Sequence, residues 1–172
     1  VVAALAVGAL GGGHALDSMG TAESLVGGMP WRCLTSDDYA SGLTFGPQAG
    51  NDSEPRLHWM GALSASGGSI EWLRTLLADP HVSYEHLLNL LSRADPGPSP
   101  ILYFPYLAGA QAPDPDPAAR GAFVGLTARH TASDLALAVI QGAAYEMERV
   151  RRAAERLAGA VDELIVVGGG AR

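Results

Sequence analysis

The apolar positions of this chain fall into short blocks separated by glycine and proline. Residues 1–10 are apolar and Ala-rich and predict a buried helix, which Gly11-Gly12-Gly13 breaks. Residues 14–19 predict a short strand that runs into Gly20-Thr21. Residues 31–50 read as irregular with one strand near Leu43, and residues 56–63 as a strand. Gly67-Gly68 then opens a helix with Ile70, Trp72, Leu73, Leu76 and Leu77 at helical spacing, stopped by Asp79-Pro80. Residues 82–91 predict a second helix, ended by a Pro-rich run, and residues 101–107 an aromatic-rich strand. Pro113, Pro115 and Pro117 force a loop over residues 109–121, because proline cannot donate to a ladder.

The clearest element is a helix over residues 131–157. Thr131 and Asp134 have the spacing of a capping box, and Leu135, Val139, Gly142, Ala143, Met147 and Val150 form one face. Gly142 costs about 1 kcal/mol against Ala in a helix interior, so close packing is expected there. Glu148 and Arg152 are placed to pair at i,i+4. Short strands are expected at residues 123–126 and 164–167, the last running into Gly168-Gly169-Gly170-Ala171. Strands alternating with helices, with Gly turns at strand ends, predict an α/β layer fold.

Composition narrows the chemistry. The chain has 172 residues, 48% hydrophobic and 17% charged, which predicts a packed core and one domain or a large piece of one. All eleven basic residues are Arg; without Lys there is no Schiff-base lysine and no P-loop GK[ST]. The net charge of −7 argues against nucleic-acid binding. The run at residues 1–10 is far short of the roughly 20 residues a membrane span needs. A lone Cys33 excludes an internal disulfide and a CxxC metal site and fits a reducing cytosol. The chain opens on Val1 rather than Met and reads as part of a longer protein.

Three glycine sites carry candidate chemistry. Ser18-Met19-Gly20-Thr21 lets backbone approach a phosphate and adds a hydroxyl donor. Ser66-Gly67-Gly68-Ser69-Ile70-Glu71 opens a helix whose free N–H groups suit an anion, although taken alone plain capping by Ser66 or Ser69 is the better explanation. Gly168-Gly169-Gly170 after a buried strand leaves room for a ligand against the main chain. No His pair has metal-ligand spacing, Asp114 and Asp116 read as a solvated acidic loop, and Arg149, Arg151, Arg152 and Arg156 as a solvated helix end.

The order of these sites, together with Tyr106-Leu107-Ala108-Gly109, Pro113, Asp116-Pro117, Ala119-Arg120-Gly121, Phe123, Gly125-Leu126-Thr127 and His130-Thr131, resembles the C-terminal domain of the FGGY carbohydrate kinases, closest to the xylulokinase-like branch. The resemblance spans nearly the whole chain. It implies an RNase H-like domain of the actin and hexokinase type, a mixed sheet flanked by helices, here incomplete at both ends. It also implies a two-domain enzyme that moves the γ-phosphate of ATP to a small sugar or polyol with Mg²⁺, of which this chain is part of the second, nucleotide-binding domain. Residues 20 and 21 match the family's phosphate-binding Gly-Thr. Gly67 and Glu71 match positions beside the sugar and base of the nucleotide, and Gly169, Gly170 and Ala171 match its adenosine motif. The general-base Asp is expected a residue or two before Val1, so the chain alone is expected to be inactive. The resemblance implies a cytoplasmic enzyme with no nucleic-acid or membrane partner and most sugar contacts in the first domain; a homodimer is one assembly open to it.

One departure stands inside the signature. Gly109-Ala110-Gln111 replaces the Gly-Glu-Arg common in xylulokinases. Two further readings remain: a non-catalytic kinase-like module that binds a nucleotide or partner, and a metal-dependent hydrolase built on Asp114, Asp116 and His130.

Overall fold

The computed structural model describes residues 1–48, 54–78 and 82–171. The Asp79-Pro80 stop, His81, Gly50 and Arg172 lie outside the described residues. The elements run α1 (Val2–Ala6), β1 (His14–Met19), β2 (Glu23–Pro30), α2 (Ser36–Ala40), β3 (Thr44–Pro47), β4 (Arg56–Leu63), α3 (Gly67–Leu77), α4 (Tyr84–Leu91), β5 (Leu102–Phe104), β6 (Ala122–Val124), α5 (Ala132–Ala158) and β7 (Glu163–Gly168), followed by a 3-10 turn at Gly169–Ala171.

Five strands form one sheet in the order β3-β4-β2-β1-β7. The first four are antiparallel neighbours, and β7 lies parallel to β1, pairing Leu16 with Ile165 and Met19 with Gly168. A parallel neighbour requires a long crossover, and α5 supplies its last leg. Strand alternation sends alternate residues to opposite faces. Leu16 and Val26 pack on Ala4, Ala9 and Leu10 at the α1 side, with Met60, Ile165 and Val167. Ala15, Leu25, Met29, Leu57, Trp59 and Leu63 meet Ala143, Met147, Val150 and Ala154 of α5 on the other face. A second core joins Leu73, Leu87, Ile101, Tyr103 and Val139, fixing α3, α4 and the β5–β6 hairpin to the first half of α5.

The mixed sheet with helices on its faces is the architecture expected. Helix α5 begins as its capping box predicts, with the Thr131 amide and hydroxyl both donating to the Asp134 carboxylate at 2.7 and 2.8 Å. At Gly142 a Cβ would lie 2.4 Å from the Tyr103 carbonyl oxygen, so the glycine permits the close approach of α5 to β5.

Strand β2, at the centre of the sheet, was not expected from the sequence. Its Gly27-Gly28 looks like a turn, yet a Cβ on Gly27 would lie 2.4 Å from the Trp59 ring and one on Gly28 would lie 2.0 Å from the Leu10 carbonyl oxygen. These glycines serve close packing on both faces of a buried strand. The N-terminal helix is shorter than expected, ending at Ala6 with Gly8 at φ +76 in the turn after it, and it is not buried as expected: only Ala4 is buried against the sheet, while Val2 and Leu5 are exposed. The stretch read as irregular contains α2, whose start repeats the α5 device: the Thr35 amide donates to Asp38 at 2.6 Å and its hydroxyl at 2.9 Å. Asp38 is fully buried and takes the Arg32 guanidinium as partner. The aromatic strand is confined to Leu102–Phe104, because Pro105 cannot extend the ladder.

Candidate functional site

The β1–β2 turn, the start of α3 and the turn after β7 meet at one end of the sheet. There they surround a cleft of about 340 Å³ lined by Met19, Gly20, Thr21, Ser66, Gly67, Ile70, Glu71, Tyr84, Gly169 and Gly170. Three segments far apart in sequence are therefore brought together. Six of the seven expected site residues, Gly20, Thr21, Gly67, Glu71, Gly169 and Gly170, line the cleft. Ala171 does not; it closes the 3-10 turn and is exposed.

The segments are held by main-chain contacts. The Gly67 amide donates to the Gly20 carbonyl at 3.1 Å and the Gly68 amide to the Thr21 carbonyl at 2.9 Å. The first N–H groups of α3, expected to meet an anion, are thus engaged by the neighbouring turn. Ser66 does not cap α3 with its side chain; its hydroxyl donates to the buried Glu23 carboxylate. Ser69 is likewise turned inward, donating to the Ala65 carbonyl and accepting from Tyr103 at 3.0 Å.

On the far wall of the cleft, Arg74 Nη1 donates to both Glu71 oxygens at 2.9 and 2.8 Å. The Tyr84 hydroxyl donates to Glu71 Oε1, and this bond to a carboxylate raises the Tyr84 pKa. The Arg74 guanidinium lies 3.8 Å from the centre of the Tyr84 ring, a cation–π contact, and its Nε donates to the Val82 carbonyl at 2.7 Å. Arg74 therefore folds α4 back onto α3 and places Tyr84 in the cleft. Tyr84 had no local signal in the sequence, because only this tertiary contact brings it there.

The third segment shows two different glycines. Gly168 has φ +105, and a Cβ there would lie 2.3 Å from the Met19 carbonyl oxygen, so the fold itself requires glycine. Among the described residues beyond its chain neighbours, no atom lies within 4 Å of a Cβ position at Gly169. Packing among them does not demand glycine there, and its open side belongs to the cleft.

The other constellations stay separate. Asp114 pairs with Arg149, Asp116 Oδ1 accepts from the Ala118 amide at 2.8 Å, and His130 Nδ1 accepts from the Thr127 amide at 2.9 Å. Among the described residues no group of three or more His, Cys, Asp or Glu could hold a metal ion. The arginines near the end of α5 are largely neutralised: Arg149 pairs with Glu146, Arg151 with Glu148 and Glu155, and Arg152 with Glu148 as expected. No described helix is long and apolar enough to cross a membrane.

Comparison with known proteins agrees with this arrangement. Residues 31–172 match the family model described as the FGGY family of carbohydrate kinases, C-terminal domain. A xylulose kinase of Staphylococcus epidermidis is 34% identical over 97% of this chain and 33% of its own length. A gluconokinase of Bacillus subtilis is 32% identical over 67% of this chain and 25% of its own length. A ligand-bound xylulose kinase from Lactobacillus acidophilus shares the fold with a TM-score of 0.82 at 21% identity, covering 98% of this chain and 33% of the other. The chain spans about a third of the length of the curated xylulose kinase it matches. With a family model matched over most of its residues and a relative a third identical along nearly all of it, the chain belongs to the FGGY family of carbohydrate kinases, matching their C-terminal domain.

Proposed function

We propose that this chain is part of the second, nucleotide-binding domain of an ATP-dependent kinase that phosphorylates a hydroxyl of a small sugar or polyol in the cytoplasm. The observation that carries the reading is the meeting of Gly20-Thr21, Gly67, Glu71 and Gly169-Gly170 around one cleft. The glycine at 169, which no packing contact explains, supports a ligand lying against the main chain there.

In this reading the Gly20-Thr21 turn meets the phosphates through backbone and the Thr21 hydroxyl. Glu71, held by Arg74 and Tyr84, accepts hydroxyl donors from the nucleotide's sugar, and Gly169-Gly170 leaves room for its base. Glu71 is the one carboxylate among the cleft-lining residues, and its engagement with Arg74 and Tyr84 makes it a poor general base. The proton of the attacking sugar hydroxyl then goes to a carboxylate outside this chain, and the leaving group is ADP. Bound with the nucleotide's phosphates, Mg²⁺ would supply charge neutralisation for the transferring phosphoryl group. Since no acidic cluster is present among the described residues, the chain's contribution to the metal is to fix the phosphates that carry it.

The test is a coupled ADP-release assay on the complete kinase with a panel of ketoses, aldoses and polyols. Turnover with a carbohydrate acceptor supports the proposal, as does loss of turnover in this chain alone. Nucleotide binding without turnover on any acceptor would favour a non-catalytic module, and turnover by this chain alone would overturn the assignment of the base.

A further inference from the structure

Beneath the Gly20-Thr21 turn lies a buried acidic pair that the proposed mechanism does not use. Asp17 ends up diagonal to Glu23 across the β1–β2 ladder, since Asp17 faces Leu25 and Glu23 faces Met19 in register. Both side chains point to the α5 side of the sheet, where diagonal neighbours are within reach of long side chains. Asp17 is 8% exposed, Glu23 4% and Ser66 7%. The Ser66 hydroxyl donates to the Glu23 carboxylate beside Asp17. Asp17 Oδ1 is buried and has no hydrogen-bond partner among the described residues. The three residues thus bracket the turn: Asp17 before it, Glu23 after it, and Ser66 at the start of α3, whose Gly67 amide bonds Gly20.

Two carboxylates buried as diagonal neighbours on one face of a ladder cannot both ionise cheaply, so a proton held between them is the stable arrangement. Burial, followed by the charge of and the hydrogen bond to Glu23, pushes Asp17 up to about 7. The remaining ionisable groups lining the adjoining cavity of about 310 Å³ are Glu148 and Arg151 of α5. Arg151, the one cation in that lining, is paired with Glu148 at 2.6 Å and with Glu155 at 2.5 Å, and β7 contributes only Leu164 there.

Resting on the nucleotide reading above, we propose that Asp17 and Glu23 are positioning residues that, sharing one proton, hold the Gly20-Thr21 turn against α3 in the geometry that accepts the nucleotide's phosphates. When the pair loses its proton, the two carboxylates repel across the base of the turn, and the Glu23–Ser66 link to α3 shifts with them. The device therefore works at low pH and relaxes as pH rises.

The experiment is calorimetric titration of the complete kinase with ATP from about pH 6 to pH 8.5, for the native protein and for Asp17→Asn and Asp17→Ala. Asparagine keeps a donor toward Glu23 and cannot ionise. The native affinity is expected to fall about tenfold more across this range than that of Asp17→Asn, the comparison cancelling the titration of ATP itself. Asp17→Ala, without the donor, is expected to bind weakly at every pH, with circular dichroism reporting whether it folds. Parallel pH profiles for the native protein and Asp17→Asn, with both binding ATP, would overturn the positioning role alone. Absence of ATP binding by the native protein at every pH would overturn this role and the nucleotide reading together. Should Asp17→Ala not fold, the native and Asp17→Asn profiles decide the matter by themselves.

Discussion

The Gly67 amide donates to the Gly20 carbonyl at 3.1 Å, and a Cβ on Gly67 would stand 2.5 Å from that same oxygen. The first residue of α3 is therefore pressed against the β1–β2 turn, and the contact is backbone on backbone. Gly67→Ala must push the turn and the helix apart. The expected result is a loss of about 1–3 kcal/mol in denaturant-measured stability, with nucleotide affinity of the complete kinase lowered as well, because Gly20 and Thr21 move with the turn.

Gly169→Ala separates binding from folding. The added methyl meets nothing within 4 Å among the described residues, so stability is expected to stay within about 0.5 kcal/mol. Nucleotide affinity is expected to fall about tenfold or more, since the methyl occupies the open side of the cleft. Calorimetry alongside a thermal melt checks both halves; unchanged affinity would remove Gly169 from the binding site.

Tyr84→Phe removes the hydroxyl that holds Glu71 and keeps the ring under Arg74. Tyr84 is 58% exposed, so folding should change by less than about 1 kcal/mol. The expected signature is a rise in KM for ATP of about three- to tenfold with the sugar KM unchanged, the size of one ordinary hydrogen bond, because Arg74 still holds Glu71. Steady-state kinetics of the complete kinase gives both constants.

Arg32→Ala tests the buried carboxylate of α2. The Arg32 guanidinium, then burial in the opposite sense, then the Thr35 amide and hydroxyl act on Asp38, and together they hold its carboxyl well below the usual carboxylate range. A depressed folded-state pKa contributes stability that is present above the unfolded value near pH 4 and is lost as pH falls through the lower folded value. Removing Arg32 is expected to cost roughly 2–4 kcal/mol near neutral pH, below the loss for a wholly buried pair because the Arg32 side chain keeps a third of its exposure. The acid limb of a pH–stability curve should flatten in the variant; a curve parallel to the native one would contradict the assignment.

The local signals in the chain were sufficient for its long helix, its outer strands and its glycine turns. The Thr131 and Asp134 spacing announced the start of α5, and the apolar run Leu164 to Val167 announced β7, because both signals are local; the burial expected of β7 did not follow, since it is an edge strand and Leu164 and Val166 are exposed. The same capping spacing stands at Thr35 and Asp38, but α2 was not read from it, because it is embedded in a polar stretch too short to show helical periodicity. Strand β2 was hidden by Gly27-Gly28, whose meaning depends on Trp59 and Leu10, residues distant in sequence.

The candidate site divides in the same way. Its glycines, Thr21 and Glu71 were legible as motifs, and their order along the chain carried the resemblance to the FGGY kinases. That the motifs surround one cleft was decided by the pairing of β1 with β2 and β7 and by the Gly67–Gly20 bond, which are long-range contacts. Tyr84 entered the cleft only because Arg74 draws α4 back, and Asp17 and Glu23 became a pair only in the register of the ladder. Sequence determined which residues can make the chemistry, since residue type and local spacing set backbone freedom, capping and charge. Tertiary structure decided which of them meet, since burial and proton sharing arise only when separate segments exclude water from the same place.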